Sequence, residues 1–152
     1  MKRTAFFPGS FDPFTKGHED IVLRALTLFD EIVIGIGQNS NKNRYFNLEK
    51  MKGYIENTFA GKPVRVVTYQ NLTANVAKEV GAKFIIRGLR NTTDFEYENS
   101  ISQVNRHINE ELETVFLITS PHLAPISSTI IRDLHRYGSK IDQYLPYTLD
   151  GI

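Results

Sequence analysis

Cysteine is absent from the 152 residues, which removes disulfides, thiolate nucleophiles and zinc–thiolate sites together and leans weakly toward an intracellular, cytoplasmic chain. A dominant charge is missing too. Eighteen Lys and Arg against 17 Asp and Glu leave +1, so overall charge argues for neither a nucleic-acid nor a membrane partner, and any anion site has to be local. No apolar run approaches the roughly 20 residues of a transmembrane helix. After Lys2-Arg3, too few apolar residues precede Pro8-Gly9 to make the hydrophobic region of a signal peptide. Without such a signal, Asn71-Leu72-Thr73 and Asn91-Thr92-Thr93 read as chance glycosylation patterns. His107, His122 and His135 lack metal-ligand spacing with each other or with His18, so no protein metal site is expected. Length and the lack of any linker or repeat point to one domain spanning 1–152.

What is present is an alternation. Strand-type runs at Thr4 to Phe7, Glu31 to Ile36, Val64 to Tyr69, Lys83 to Arg87 and Val115 to Ile118 alternate with helical periodicity near 18 to 29, 48 to 59, 72 to 80 and 95 to 112. Short buried-type strands separated by helices of that length predict βαβ units. The fold class is therefore α/β, a Rossmann-like, doubly wound parallel five-stranded sheet with helices on both faces. Ligands of such sheets sit beyond the strands' carboxyl ends, which directs attention to the strand-end loops. The tail after Tyr137 reads as irregular or one short helical turn.

In the first loop, Ser10 and Thr15-Lys16-Gly17-His18 stand between a strand closed by Pro8-Gly9 and a helix. Free N–H groups and the positive end of the helix dipole favour an anion there, and His18 adds a donor; a plain cap with a surface histidine would use the same residues. Lys42 lies in the turn-rich second loop, where solvation is its default. Arg87-Gly88-Leu89-Arg90 leaves an apolar strand with two guanidinium groups suited to phosphate oxygens, although Asp94, Glu96 and Glu98 are available to pair with them. Ser127-Ser128-Thr129 again brings hydroxyls to a helix start, where capping alone needs one. Ile101, Val104, Ile108 and Leu112 form an apolar stripe that serves either a core or a subunit interface.

Taken together, Pro8-Gly9-Ser10-Phe11-Asp12-Pro13, Thr15-x-Gly17-His18, Ile86-Arg87-Gly88-Leu89-Arg90, Asp94-Phe95-Glu96-Tyr97-Glu98, Asn105-Arg106-His107 and Ile126-Ser127-Ser128-Thr129 resemble, in order and spacing, the bacterial-type phosphopantetheine adenylyltransferases. These belong to the nucleotidyltransferases with a Thr/His-x-Gly-His signature. The resemblance implies adenylyl transfer from ATP to 4′-phosphopantetheine, giving dephospho-coenzyme A and pyrophosphate by direct in-line attack. It puts ATP on Ser10, Phe11, His18, Gly88, Leu89, Arg90, Glu98 and the run Leu123, Ala124, Pro125, Ile126, Ser127, Ser128 and Thr129. Phosphopantetheine would meet Ser10, Lys42, Thr73 and Arg87, with its arm reaching Leu72 and Asn105. Thr73 departs from the larger apolar residue frequent in relatives. His18, Lys42 and Arg90 carry the catalytic roles, Mg2+ accompanies ATP, coenzyme A is a feedback ligand, and the assembly is a homohexamer. Rivals are another nucleotidyltransferase of this fold, for a phosphorylated alcohol or nicotinate mononucleotide, and a nucleotide sensor without turnover.

Overall fold

A computed structural model describes residues 1–39 and 43–149. Strands β1 (Thr4–Gly9), β2 (Glu31–Gly37), β3 (Val64–Tyr69), β4 (Phe84–Leu89) and β5 (Glu113–Ile118) form one sheet in the order β3-β2-β1-β4-β5. Every neighbouring pair is parallel. Between the strands run helices α1 (Lys16–Ala25), α2 (Leu48–Thr58), α3 (Thr73–Glu79) and α4 (Thr92–Ile108); α5 (Ser128–Arg136) and a 3-10 turn at Asp142–Tyr144 follow β5. This is the expected Rossmann-like sandwich.

Alternate side chains of each buried strand serve opposite faces. Ala5, Phe7, Ile32, Ile34 and Ile86 join Ile21, Val22, Met51, Ile55 and Ile131 in the larger core, under α1, α2 and α5. Phe6, Val33 and Ile85 turn the other way, to Ala74, Val76 and Ala77 of α3. Central strands buried on both faces explain why their sequences run apolar instead of alternating.

Among the boundaries that differ from the sequence expectation, those of β1, α1 and α4 have a local reason. Pro8 lies inside β1. Residues of a strand present N–H and C=O to the same neighbour; Pro8's carbonyl faces β4, where it accepts from Arg87 Nη1. Since β1 and β4 pair only at Ala5–Phe84 and Phe6–Ile85, the missing proline N–H falls where that ladder has opened. Helix α1 stops at Ala25 instead of 29 because Thr27 Oγ1 takes the Arg24 carbonyl at 2.6 Å and turns the chain, while Phe29 stays buried. Helix α4 starts earlier and ends earlier than 95 to 112. Asn91 caps it by accepting from Asp94 N–H, and Asn109 is already extended, which moves Leu112 off the stripe and into the smaller core.

On α4, Ile101, Val104 and Ile108 stay exposed, Val104 by 59%, and Ile118 at the end of edge strand β5 is exposed too. No helix among the described residues is long and apolar enough to cross a membrane.

Candidate active site at the carboxyl edge of the sheet

Chain order reverses between β1 and β4, the crevice where doubly wound sheets receive ligands. The strands separate there beyond Phe6 and Ile85 and leave a cavity of about 290 Å³. From the first loop it is lined by Ser10, Phe11 and His18; from β4 and its corner by Arg87, Gly88, Arg90 and Glu98. Leu123, Ile126, Ser127, Ser128 and Thr129 close the remaining side. Gly88 allows α1 this close to β4, because a Cβ there would stand 3.1 Å from the Ile21 side chain.

His18 is fixed by a capping box. Thr15 Oγ1 accepts from His18 N–H at 3.3 Å, and His18 Nδ1 accepts from Thr15 N–H at 2.9 Å. A backbone N–H can only donate, so Nδ1 is the bare nitrogen and Nε2 carries the proton of the neutral ring. The imidazole stands edge-on to Phe11, ring centroids 5.0 Å apart, and tilts against Phe14 at 5.2 Å. Burial, then the positive charges of Arg87 and Arg90, push its pKa from the ordinary 6.5 down to about 3. At neutral pH His18 is therefore an uncharged N–H donor in a site whose positive charge comes from arginine.

Both arginines already hold carboxylates. Arg87 grips buried Glu98 with two hydrogen bonds, Nη2 to Oε1 at 2.7 Å and Nε to Oε2 at 2.9 Å. Arg90 pairs with Asp94 at 3.1 Å on the more exposed rim. Burial alone would raise the Asp94 pKa, but hydrogen bonds from the Arg90 side chain and backbone, with both arginine charges, hold it below the ordinary value. The pairing that the sequence offered as an alternative is thus realised for both guanidinium groups.

The three hydroxyls at the start of α5 divide their tasks. Ser127 caps the helix through Ile130 N–H. Ser128 donates to the Pro13 carbonyl at 2.8 Å, tying α5 to the first loop. Thr129 accepts from Arg132. The loop after β5 is fastened from α1: Arg24 reaches the Ile118 carbonyl at 2.7 Å, and Asp20 accepts from Ser120 Oγ.

Not every residue singled out from the sequence meets here. Leu89 is buried in the sheet, and Ala124 and Pro125 lie outside the cavity lining. Leu72 and Thr73 belong to the start of α3, near the end of edge strand β3, where Thr73 Oγ1 is 3.2 Å from Tyr69 Oη. Asn105 is buried on α4, also away from the cavity. Lys42 lies outside the described residues. In the other direction, Thr15, Thr119 and Asp94 line the cavity without having been singled out as ligand contacts. The signal for Thr15 was present as the Thr15-x-x-His18 spacing of a capping box with histidine in the glutamate position.

Residues 6–134 match the family model described as cytidylyltransferase-like. A phosphopantetheine adenylyltransferase of Cytophaga hutchinsonii is 59% identical over 98% of this chain and 100% of its own. One of Flavobacterium johnsoniae is 51% identical over 95% of each. Among solved structures, a bifunctional NMN adenylyltransferase/ADP ribose pyrophosphatase of Francisella tularensis superposes with a TM-score of 0.71 at 20% identity, over 98% of this chain and 46% of that larger one, which shows the common fold. With near-complete coverage at such identity added to the cleft between β1 and β4, the chain belongs to the phosphopantetheine adenylyltransferases, within the cytidylyltransferase-like nucleotidyltransferases.

Proposed function

We propose that the protein transfers the adenylyl group of ATP to 4′-phosphopantetheine, releasing pyrophosphate and forming dephospho-coenzyme A. The observation that carries this reading is the convergence of a neutral, orientation-locked His18 with Arg87 and Arg90 on one cavity at the β1/β4 crevice. The acceptor phosphate is anionic near neutral pH, so it can attack the α-phosphorus directly and needs neither a general base nor a covalent enzyme intermediate. The protein's contribution is alignment of two polyanions and stabilisation of charge as it shifts toward the leaving pyrophosphate.

His18 donates from Nε2 to the α-phosphoryl oxygens. Arg87 receives the acceptor phosphate together with Lys42, while Arg90 and the Ser127–Thr129 helix start hold the departing phosphates. Ser10 and Phe11 supply the floor shared by both substrates. Gly88, Leu89 and Glu98, with the stretch 123–126, serve the nucleotide. Leu72, Thr73 and Asn105 serve the pantetheine arm, which has to leave the cavity toward β3 to meet the first two.

Mg2+ accompanies ATP and is held by phosphate oxygens. The donors around the cavity are mostly cations and hydroxyls, and no cluster of three or more metal-ligating side chains occurs among the described residues. Coenzyme A, which carries the pantetheine arm of the product, competes at the acceptor region as a feedback ligand. The exposed apolar side chains of α4, together with Ile118, support assembly into a homohexamer, and the absence of cysteine, with no spanning helix among the described residues, suits a cytoplasmic location.

Pyrophosphate release tests the reaction. Mg-ATP or Mg-CTP is offered with a panel of phosphorylated acceptors that includes phosphopantetheine and nicotinate mononucleotide. Release only with ATP and phosphopantetheine is expected. Release with CTP or another acceptor would move the protein to a different branch of the superfamily, and nucleotide binding without release would make it a sensor.

A further inference from the structure

Behind the phosphate-side turn, and outside the cavity, lies a second set of charged residues that the proposed reaction does not use. Arg44, from the segment joining β2 to α2, donates through Nη1 to the Ser10 carbonyl and through Nη2 to the Phe11 carbonyl at 2.9 Å. Its Nε returns to the Phe46 carbonyl at 3.2 Å, so one guanidinium staples its own segment to the turn. The staple is reciprocated: the Asp12 carboxylate accepts from Tyr45 N–H and Phe46 N–H, both at 2.8 Å, and lies 3.7 Å from Arg44. Arg132 of α5 takes the next carbonyl, that of Asp12, at 2.7 Å. Three consecutive carbonyls, 10 to 12, are thus held by two arginines.

The turn needs holding. Phe11 has φ +45°, a conformation that a residue with a bulky side chain seldom adopts and that costs on the order of 1 kcal/mol or more. In a planar trans peptide the N–H points opposite to the C=O. With the Ser10 and Phe11 carbonyls directed at Arg44, the N–H groups of Phe11 and Asp12 point away from it. Ser10 and Phe11 line the cavity whereas Arg44 and Asp12 do not, and the Phe11 N–H has no protein acceptor among the described residues.

We infer that Arg44 is a positioning residue for the proposed adenylyl transfer: by holding the Ser10 and Phe11 carbonyls from behind, it turns the Phe11 N–H to the cavity as an anion-binding donor. The inference rests on the reading of this cavity as the phosphoryl-transfer site. It adds to that reading a residue that touches neither substrate and that polarises the two peptide groups through their oxygens. Arg87 and Arg90 are already occupied by carboxylates, so a fixed backbone donor at Phe11 can receive phosphate without exchange of partners.

Arg44→Ala and Arg44→Lys decide it. For Arg44→Ala, kcat is expected to fall about tenfold to a hundredfold with a much smaller change in the KM for phosphopantetheine, as when a transition-state donor is misaimed. Millimolar methylguanidinium should restore part of the rate, and Arg44→Lys, which keeps the charge but lacks the planar fork, should fall between. Independently of turnover, calorimetric titration with inorganic pyrophosphate should show at least fivefold weaker binding to Arg44→Ala, on the order of 1 kcal/mol. Wild-type kcat with unchanged pyrophosphate affinity in Arg44→Ala would overturn the inference. So would a rate loss that follows a lowered melting temperature and resists methylguanidinium, which is what a purely structural staple gives. If the wild-type protein itself released no pyrophosphate from ATP and phosphopantetheine, the proposed reaction would fall, while the titration with pyrophosphate would still decide the role of Arg44.

Discussion

The turn between β1 and α1 and the corner between β4 and α4 face each other across one cavity and are held by opposite means. In the turn, His18 is neutral and locked by Thr15, and the Ser10, Phe11 and Asp12 carbonyls are fixed by arginines from elsewhere in the fold. In the corner, Arg87 and Arg90 are charged side chains, each paired with a carboxylate. In the proposed reaction the turn is the preorganised side and the corner the exchangeable one. That division suits the proposed reaction between two polyanions, in which the fixed part would stabilise charge in flight and the exchangeable part would admit and release phosphates without leaving bare charges between turnovers.

The largest expected effect lies on the fixed side. His18→Ala should lower kcat by about a hundredfold or more with only a modest change in ATP binding, the pattern of a lost transition-state donor. Steady-state kinetics with a separate ATP titration measures both, and a near-normal kcat would remove the distinction between the two regions.

On the exchangeable side, Arg87→Ala should weaken phosphopantetheine by about tenfold or more and ATP less. The substitution also strands buried Glu98, so the double variant Arg87→Ala/Glu98→Gln separates lost recognition from an unpaired carboxylate. Calorimetric titration that showed ATP weakened more than phosphopantetheine in both variants would reverse the assignment of the corner.

Acid should expose the fixed side next. The folded-state pKa of His18, about 3, lies below its ordinary 6.5, so between those values the unfolded chain binds more protons and stability falls as pH falls. Between pH 7 and pH 5 this group accounts for about 2 kcal/mol of lost stability. Denaturant unfolding at the two pH values should show that loss in the wild type and a smaller one in His18→Gln. An equal loss in both would mean that His18 titrates normally.

The smallest effect belongs to the rim. Asp94→Asn should change stability by less than about 1 kcal/mol, because the Arg90 pair is solvent-screened. A thermal melt showing several times that cost would make Arg90 as fixed as the turn it faces.

Much of this was readable from the chain. The apolar strands and helical periods predict the parallel sheet, and its strand ends make neighbours of Ser10, His18, Arg87, Arg90 and Ser127–Thr129. Pro8 misled because its tolerance depends on β4 having parted from β1, a tertiary fact. Leu112 misled because a period of 3.6 runs on past Asn109 although the helix does not. The Arg44–Asp12 staple was invisible for a different reason: 32 positions separate its members, and neither carries a local pattern that names the other. His18 could be picked out as a donor, but its charge state follows from the Phe11 and Phe14 rings and the two arginines folded around it.

Direct transfer is tested most sharply by isotope exchange. With Mg-ATP, radiolabelled pyrophosphate and no acceptor, the label should not enter ATP, because direct attack forms no adenylyl-enzyme to take it up; adding phosphopantetheine should start the exchange through the reversible reaction. Label appearing in ATP without phosphopantetheine would reveal an adenylated side chain and contradict a site built only to align and stabilise.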